Sequence, residues 1–171
     1  MISKFALFFF PALMIFSAAS DLVTMTISNK VSLALISGFF IISFLIGTPT
    51  SVIFMHLLTG ITVLIATFAL FAAGWIGGGD AKLAAATSLW LGSSLTLNYL
   101  LLATLFGGFL TLGMLAMRNY PWPLVLDNVP WIARLYRMDK GIPYGIALGF
   151  AGLAVYPYSM IWQSCIIDGM K

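Results

Sequence analysis

The stretch VIFMHLLTGITVLIATFALFAAGW, residues 52–75, contains no charged side chain. A helix of about 20 apolar residues is long enough to cross the hydrocarbon core of a bilayer. A membrane-spanning β-strand would instead alternate apolar and polar residues over about 10 positions, and this run is continuously apolar. We therefore predict that residues 52–75 form a transmembrane helix, in which every backbone polar group is paired internally.

The rest of the chain has the same character. Hydrophobic residues make up 61% of the 171 residues and charged residues 8%, whereas soluble domains carry about 25% charged residues. Glycine, proline and charge divide the chain into about six apolar segments: 5–20, 31–47, 52–75, 81–93, 95–117 and 143–163. We predict an all-α polytopic membrane protein with about six transmembrane helices, forming a single domain over residues 1–171. The boundary between the fourth and fifth segments falls near Gly92.

The distribution of basic residues predicts the orientation, because cytoplasmic loops of membrane proteins are enriched in lysine and arginine. Six spans with an external N-terminus place six of the eight basic residues on the cytoplasmic side: Lys30, Lys82, Arg118, Arg134, Arg137 and Lys140. Both termini are then outside. The net charge of +3 is dispersed, so nucleic acid is not expected as a partner. A single cysteine, Cys165, excludes an internal disulfide and a multi-cysteine zinc site.

The first apolar segment has a second interpretation. A lysine, an apolar run and the small residues 17–20 together are also typical of a secretory signal peptide. Its removal would make Asp21 the external N-terminus. The charge distribution, and the motifs described below, favour an uncleaved first helix.

Two aspartates are candidates for chemistry. Asp21 ends the first segment and Asp80 precedes the fourth, so the six-span arrangement puts both on the cytoplasmic side. A charged group at membrane depth costs at least about 2.5 kcal/mol and is usually functional or paired. Two carboxyls a few ångströms apart cannot both ionise readily and therefore share a proton. Such a pair can activate water as aspartic proteases do, without metal or cofactor. The alternative is that each aspartate caps a helix.

Three glycines, Gly77, Gly78 and Gly79, precede Asp80. Glycine tolerates positive φ and allows close approach of backbones, so three in succession would permit both at this turn. Glycine also commonly ends helices, and the pattern alone does not distinguish these roles.

At these residues the sequence resembles the type IV prepilin peptidases, membrane aspartic proteases of the GxGD class. GGGDAKL, residues 77–83, matches the family's GxGDxK block. DLVTMTISN, residues 21–29, is similar to its D-x5-(I/P)-P-N block, with Ser28 standing where the family has proline. GIPYGIA, residues 141–147, resembles the opening of the family's last helix.

The resemblance implies that Asp21 and Asp80 are the catalytic pair of a leader peptidase. Supporting motif positions would be Gly77, Gly79, Asn29, Lys82, Pro143, Tyr144 and Gly145. Type IV or Flp-type prepilins and pseudopilins would be cleaved at the cytoplasmic face of the bacterial inner membrane, after the glycine that ends a short basic leader. Membrane lipid and other pilus-assembly proteins are the other expected partners. Larger members carry a cysteine-rich zinc region associated with N-methylation. The cysteine-free link between the first two segments predicts a peptidase without methyltransferase or zinc domain, resembling the compact enzymes of tight-adherence pili.

Several other residues have competing interpretations. Three roles compete for Lys82: stabilising the charge of the aspartate pair, binding lipid phosphate, and anchoring the helix at the membrane interface. Two compete for Asn29: contacting substrate and capping the second helix. His56 lacks partner ligands, so we expect no metal there. Gly145 and Gly149 have the spacing of a helix-packing motif. The arginines of residues 118–141 are most simply topology signals, although the loop could also contact pilus machinery or anionic lipid.

Two other classes of function compete with the peptidase. One is a non-enzymatic membrane assembly subunit in which the aspartates only cap or pair helices. The other is a small transporter that uses them as a proton relay. A transporter would be expected to show inverted repeats, and the sequence has no convincing repeat.

Overall fold

The structure is a computed structural model that describes residues 2–120, 129–137 and 141–169. These residues form seven α-helices and a single 3₁₀ turn, and no strand occurs among them. The predicted all-α fold is therefore confirmed. The helices are α1 (Ile2–Thr24), α2 (Asn29–Leu45), α3 (Thr50–Ala72), α4 (Gly78–Arg118), α5 (Pro130–Tyr136), α6 (Tyr144–Val155) and α7 (Met160–Gly169), with the 3₁₀ turn Tyr156–Tyr158 between α6 and α7.

Helix α4 is broken at Gly92, where φ is 69° and ψ is 177°. Residues equally distant from Gly92 on either side line the same cavity: Asp80 with Thr104, and Ala84 with Leu100. The chain therefore doubles back at Gly92, and the two arms of α4, 78–91 and 93–118, lie side by side in opposite directions. This confirms the predicted boundary between the fourth and fifth apolar segments.

His56 of α3 packs against the break. Its buried ring donates a hydrogen bond from Nδ1 to the Leu89 carbonyl oxygen, at 2.8 Å. Leu89 lies in the last turn of the first arm, where carbonyl groups have no partner within the helix. The ring also fills the space beside Gly92. Within the described ranges, no cluster of three histidine, cysteine or acidic residues could hold a metal ion.

We expect Gly92→Ala to destabilise the protein. A Cβ at residue 92 would lie 2.7 Å from Nε2 of His56, and the backbone conformation there is accessible almost only to glycine. Such strain costs on the order of 1–3 kcal/mol, which thermal unfolding in detergent measures as a lower Tm. Gly113→Ala is the matched control, because residue 113 faces open space in the second arm. An equal Tm for both variants would contradict the structural role of Gly92.

Among the described residues, three helices are long and apolar enough to cross a membrane: Leu7–Thr24, Thr50–Ala72 and Gly78–Arg118. A fourth is counted if Tyr144–Tyr158 and Met160–Ile167, which are bent by 48° at their junction, form one span. Together with α2 and the second arm of α4, the apolar segments number six, in the predicted order. That all six cross the bilayer stays a prediction.

Trp90 joins these helices at the centre of the core. Its side chain is fully buried, and its indole N–H donates a 2.9 Å hydrogen bond to the Leu35 carbonyl of α2. The ring packs against Phe10 of α1 and Tyr156 of the 3₁₀ turn. The first arm of α4 is thereby held against both α1 and α2.

Helices α1 and α6 cross closely in opposite directions through small residues. A Cβ added at Gly152 would lie 3.1 Å from the sulfur of Met14, and one at Gly149 would lie 3.1 Å from Cβ of Ala18. Gly145, one turn further, faces Asp21. The predicted packing role of Gly145 and Gly149 is confirmed, and this crossing brings the start of α6 to Asp21.

Candidate active site

Asp21 lies in the last turn of α1 and is only 5% exposed. The helix ends just beyond it, where Met25 adopts a left-handed conformation with φ 57° and its N–H bonds to the Asp21 carbonyl oxygen. A left-handed residue is a common way for a helix to end. The ending leaves the Asp21 side chain inside the bundle while the chain turns towards α2.

The Asp21 carboxylate caps α6. Its Oδ2 accepts a hydrogen bond from the Gly145 backbone N–H at 2.7 Å. Gly145 is the second residue of α6, where N–H groups have no partner within the helix. Buried Pro143 precedes the helix as its N-cap and itself carries no N–H group. The positive end of the α6 dipole therefore points at this carboxylate.

Asp80 lies in the first turn of its own helix, α4. It is the third residue of α4, is partly buried, and accepts a hydrogen bond from the N-cap residue Gly77. A carboxylate at this position that bonds back to the N-cap N–H is one half of a capping box. Both carboxylates thus bond backbone N–H groups at a helix N-terminus, Asp21 at α6 and Asp80 at α4, as the helix-cap interpretation predicts.

The structure brings both aspartates to the start of α6, although they are far apart in sequence. Asp21 bonds the Gly145 N–H, and Asp80 lines a cavity together with Tyr144. Ile27, in the link between α1 and α2, packs between Gly79 and Gly145. A Cβ added at Gly79 would lie 3.0 Å from Cβ of Ile27, and one added at Gly145 would lie 2.8 Å from its Cδ1. Ile27 stands at the (I/P) position of the aspartate block, which is the signal that could have identified it.

The three glycines do not adopt the positive φ that glycine permits. Gly77 has φ −73°, Gly78 and Gly79 are helical, and the described glycines with positive φ are Gly47, Gly74 and Gly92. Close approach is confirmed. A Cβ at Gly77 would lie 2.8 Å from Oδ2 of Asp80, and Gly79 lies against Ile27. Glycine is therefore suited to these positions because a side chain would not fit, and the backbone conformation there is an ordinary one.

Lys82 and Asn29 contact each other beside the pair. Lys82 Nζ donates a 2.9 Å hydrogen bond to Oδ1 of Asn29, which joins α4 to the start of α2. The expectation that Asn29 caps α2 is wrong. Ser28 is the N-cap, and its hydroxyl accepts the Lys30 N–H, while Asn29 is the first helical residue with its side chain turned towards Lys82.

Tyr144 lines a cavity of about 190 Å³ together with Asp80. Its ring lies over Gly107, and its hydroxyl is 2.9 Å from the Thr111 hydroxyl. The other walls of the cavity are mostly apolar: Thr67, Leu70, Ile76, Ala84, Leu100, Ala103, Thr104, Ala147 and Leu148. The carboxyl of Asp80 thus borders a space that can receive an apolar group.

The chain between α4 and α6 is described in part. Residues 121–128 and 138–140, with Asp127, Asp139 and Lys140, lie outside the described residues. Arg118 and Arg134 are described, and both donate hydrogen bonds to backbone carbonyls at this end of the bundle. The sequence analysis interpreted these arginines as topology signals and missed both contacts, because a charge pattern does not reveal which backbone carbonyl an arginine binds.

No curated protein and no solved structure gives a significant match to the chain. A family model described as the type IV leader peptidase family matches residues 8–112. The matched region is more than half of the chain, and it contains both Asp21 and Asp80. The chain is a multi-pass membrane protein that belongs to the type IV leader peptidase family.

Proposed function

We propose that this protein is a membrane aspartic endopeptidase that removes the short leader of type IV or Flp-type prepilins and pseudopilins. Asp21 and Asp80 are its catalytic residues. The observation that carries the proposal is that Asp21 of α1 and Asp80 of α4 both lie at the start of α6, and both fall within the region that matches a peptidase family. Family membership favours the peptidase over an assembly subunit or a transporter.

The pair acts on water and on the scissile carbonyl. The ionised carboxylate accepts a proton from water, and the water oxygen attacks the peptide carbon. The protonated carboxyl donates to the carbonyl oxygen and forms a tetrahedral intermediate. As the C–N bond breaks, the amine receives the proton taken from water, and the other carboxylate recovers its proton from the intermediate's hydroxyl group. The Gly145 and Gly77 backbone groups hold the two carboxyls during these transfers.

The cavity beside Asp80 accommodates a substrate side chain next to the scissile bond. Most of its lining residues are apolar, and the others are Asp80, Thr67, Thr104 and Tyr144. An extended peptide segment placed along it would present its carbonyl to the pair. Lys82 and Asn29 brace α2 against α4 next to this position.

The site faces the cytoplasm from the bacterial inner membrane, with both termini outside. This orientation follows from the basic residues at the aspartate end of the bundle, which include Arg118 and Arg134. Membrane lipid surrounds the helices, and other pilus-assembly proteins are partners at the cytoplasmic face. The peptidase needs no cofactor for this chemistry.

The proposal is tested by co-expressing the protein with a Flp-type pilin precursor and measuring the precursor mass. We expect one cut after the glycine that ends the leader, and no cut in cells that lack the protein. A pseudopilin precursor tested in parallel distinguishes a narrow from a broad substrate range. An intact precursor of both kinds, beside well-inserted protein, would contradict the proposed function.

A further inference from the structure

Helix α5 lies against the aspartate end of the bundle. It contacts both α1 and α4, and Leu135 is its buried residue. Seven residues make a marginal helix on their own, so contacts with the bundle hold it in place. Two arginines, Arg118 and Arg134, supply hydrogen bonds that hold α5 against the bundle.

Arg134 of α5 binds the end of α1. Its Nη1 donates a 3.1 Å hydrogen bond to the carbonyl oxygen of Val23. Val23 lies in the last turn of α1, where carbonyl groups lack partners within the helix and attract cations. The contact is made two residues beyond Asp21, so it fixes the helix turn that carries the carboxylate.

Arg118, the last residue of α4, binds two further carbonyl groups. Its Nε donates to Leu135 at 2.8 Å, and its Nη2 donates to Gly141 at 3.1 Å. Leu135 belongs to α5, and Gly141 begins the short segment that leads through Pro143 to Gly145. The planar guanidinium of Arg118 therefore joins α5 to the segment that precedes Gly145, whose N–H binds Asp21.

We propose that α5, Arg118 and Arg134 form a clamp that holds the end of α1 and the start of α6 in the register in which the Gly145 N–H meets Asp21. The clamp holds both partners of that hydrogen bond. Arg134 binds α1, which carries the acceptor Asp21, and Arg118 binds Gly141 in the segment that leads to the donor Gly145. Both arginines are positioning residues, since neither touches the carboxyl itself in these contacts. The inference rests on the proposed function for its kinetic consequence.

The first test measures leader removal by Arg118→Ala and Arg134→Ala. We expect kcat to fall about 10-fold in each, below the roughly 100-fold loss that a 1 Å misplacement can cause, with KM and Tm close to those of the unsubstituted protein. The double variant falls little further, because residues of one network are not additive. Unchanged kcat, or a Tm that falls in step with kcat, would overturn the proposal.

Lysine substitutions separate the clamp from a topology signal. Lysine keeps the positive charge, so a pure topology role predicts normal activity for Arg118→Lys and Arg134→Lys alike. The clamp predicts that Arg134→Lys recovers most activity, because one carbonyl contact is replaced. Arg118→Lys stays impaired, since an ammonium group lacks the rigid fork that reaches two carbonyls. Lys30→Ala is the charge-removal control, and normal activity is expected for it.

A structural measurement keeps this inference distinct from the peptidase proposal. Hydrogen exchange of the segment that contains Gly145 is expected to rise in Arg118→Ala and Arg134→Ala, and to stay unchanged in Lys30→Ala. Unchanged exchange in the arginine variants would overturn the clamp even if the protein cleaves precursors. Raised exchange in a protein that cleaves no precursor would support the clamp and contradict only the proposed function.

Discussion

Asp21→Asn and Asp80→Asn are each expected to lower the rate of leader removal by about 10²–10⁴-fold, the usual contribution of a positioned acid or base. Asparagine has nearly the same shape and keeps one carbonyl oxygen. That oxygen can still accept the Gly145 N–H in place of Asp21, or the Gly77 N–H in place of Asp80. Insertion and Tm should therefore be preserved, and mass analysis of the precursor measures the loss.

This substitution separates the two interpretations of the aspartates. If Asp21 and Asp80 only cap helices, asparagine serves as well as aspartate and leader removal continues at the parental rate. That result in either variant would refute the pair mechanism. The double variant is expected to be no slower than the slower single one, because residues that act as a unit are not additive.

Gly145→Ala is expected to reduce kcat about 100-fold, although the N–H group is retained. The added Cβ would lie 2.8 Å from Oδ2 of Asp21 and 2.9 Å from its Cβ, and 2.8 Å from Cδ1 of Ile27. Asp21 and Ile27 must both move, and a displacement of about 1 Å at a catalytic group can cost that much. The single-turnover rate of leader removal measures the effect.

Gly149→Ala is the matched control for this variant. Residue 149 lies on the same face of α6, in the same crossing with α1, but its nearest neighbours are Ala18 and Met14 instead of Asp21. A modest loss of Tm with kcat largely retained is expected. If Gly149→Ala loses as much activity as Gly145→Ala, then helix packing in general is responsible, and the specific contact with Asp21 is not.

Much of the fold could be predicted from the sequence because lipid imposes one dominant pattern. Continuous apolar runs identify helices, and charge or glycine marks their ends. The break at Gly92 was visible as a small-residue interruption, and the packing of Gly145 and Gly149 as a spacing. The two aspartates were identified by their rarity and motifs, and the structure places both at the start of α6.

The remaining features depend on contacts between distant parts of the chain. His56 lies at the Gly92 break because α3 packs there, which its own neighbours in sequence do not reveal. Arg118 and Arg134 bind backbone carbonyls, which every residue possesses, so no side-chain pattern indicates these partners. The cap of α2 was misplaced by one residue, because Ser28 and Asn29 are both good N-cap residues.

The reversal at Gly92 limits how the length of this chain can change. Asp80 and Thr104 are equally distant from Gly92 on the two arms of α4, and they line one cavity only while both spacings are kept. One inserted residue in the second arm would rotate everything after it by about 100°. The wall opposite Asp80 would turn away. Insertions and deletions between residues 80 and 104 are therefore expected to be excluded from functional relatives.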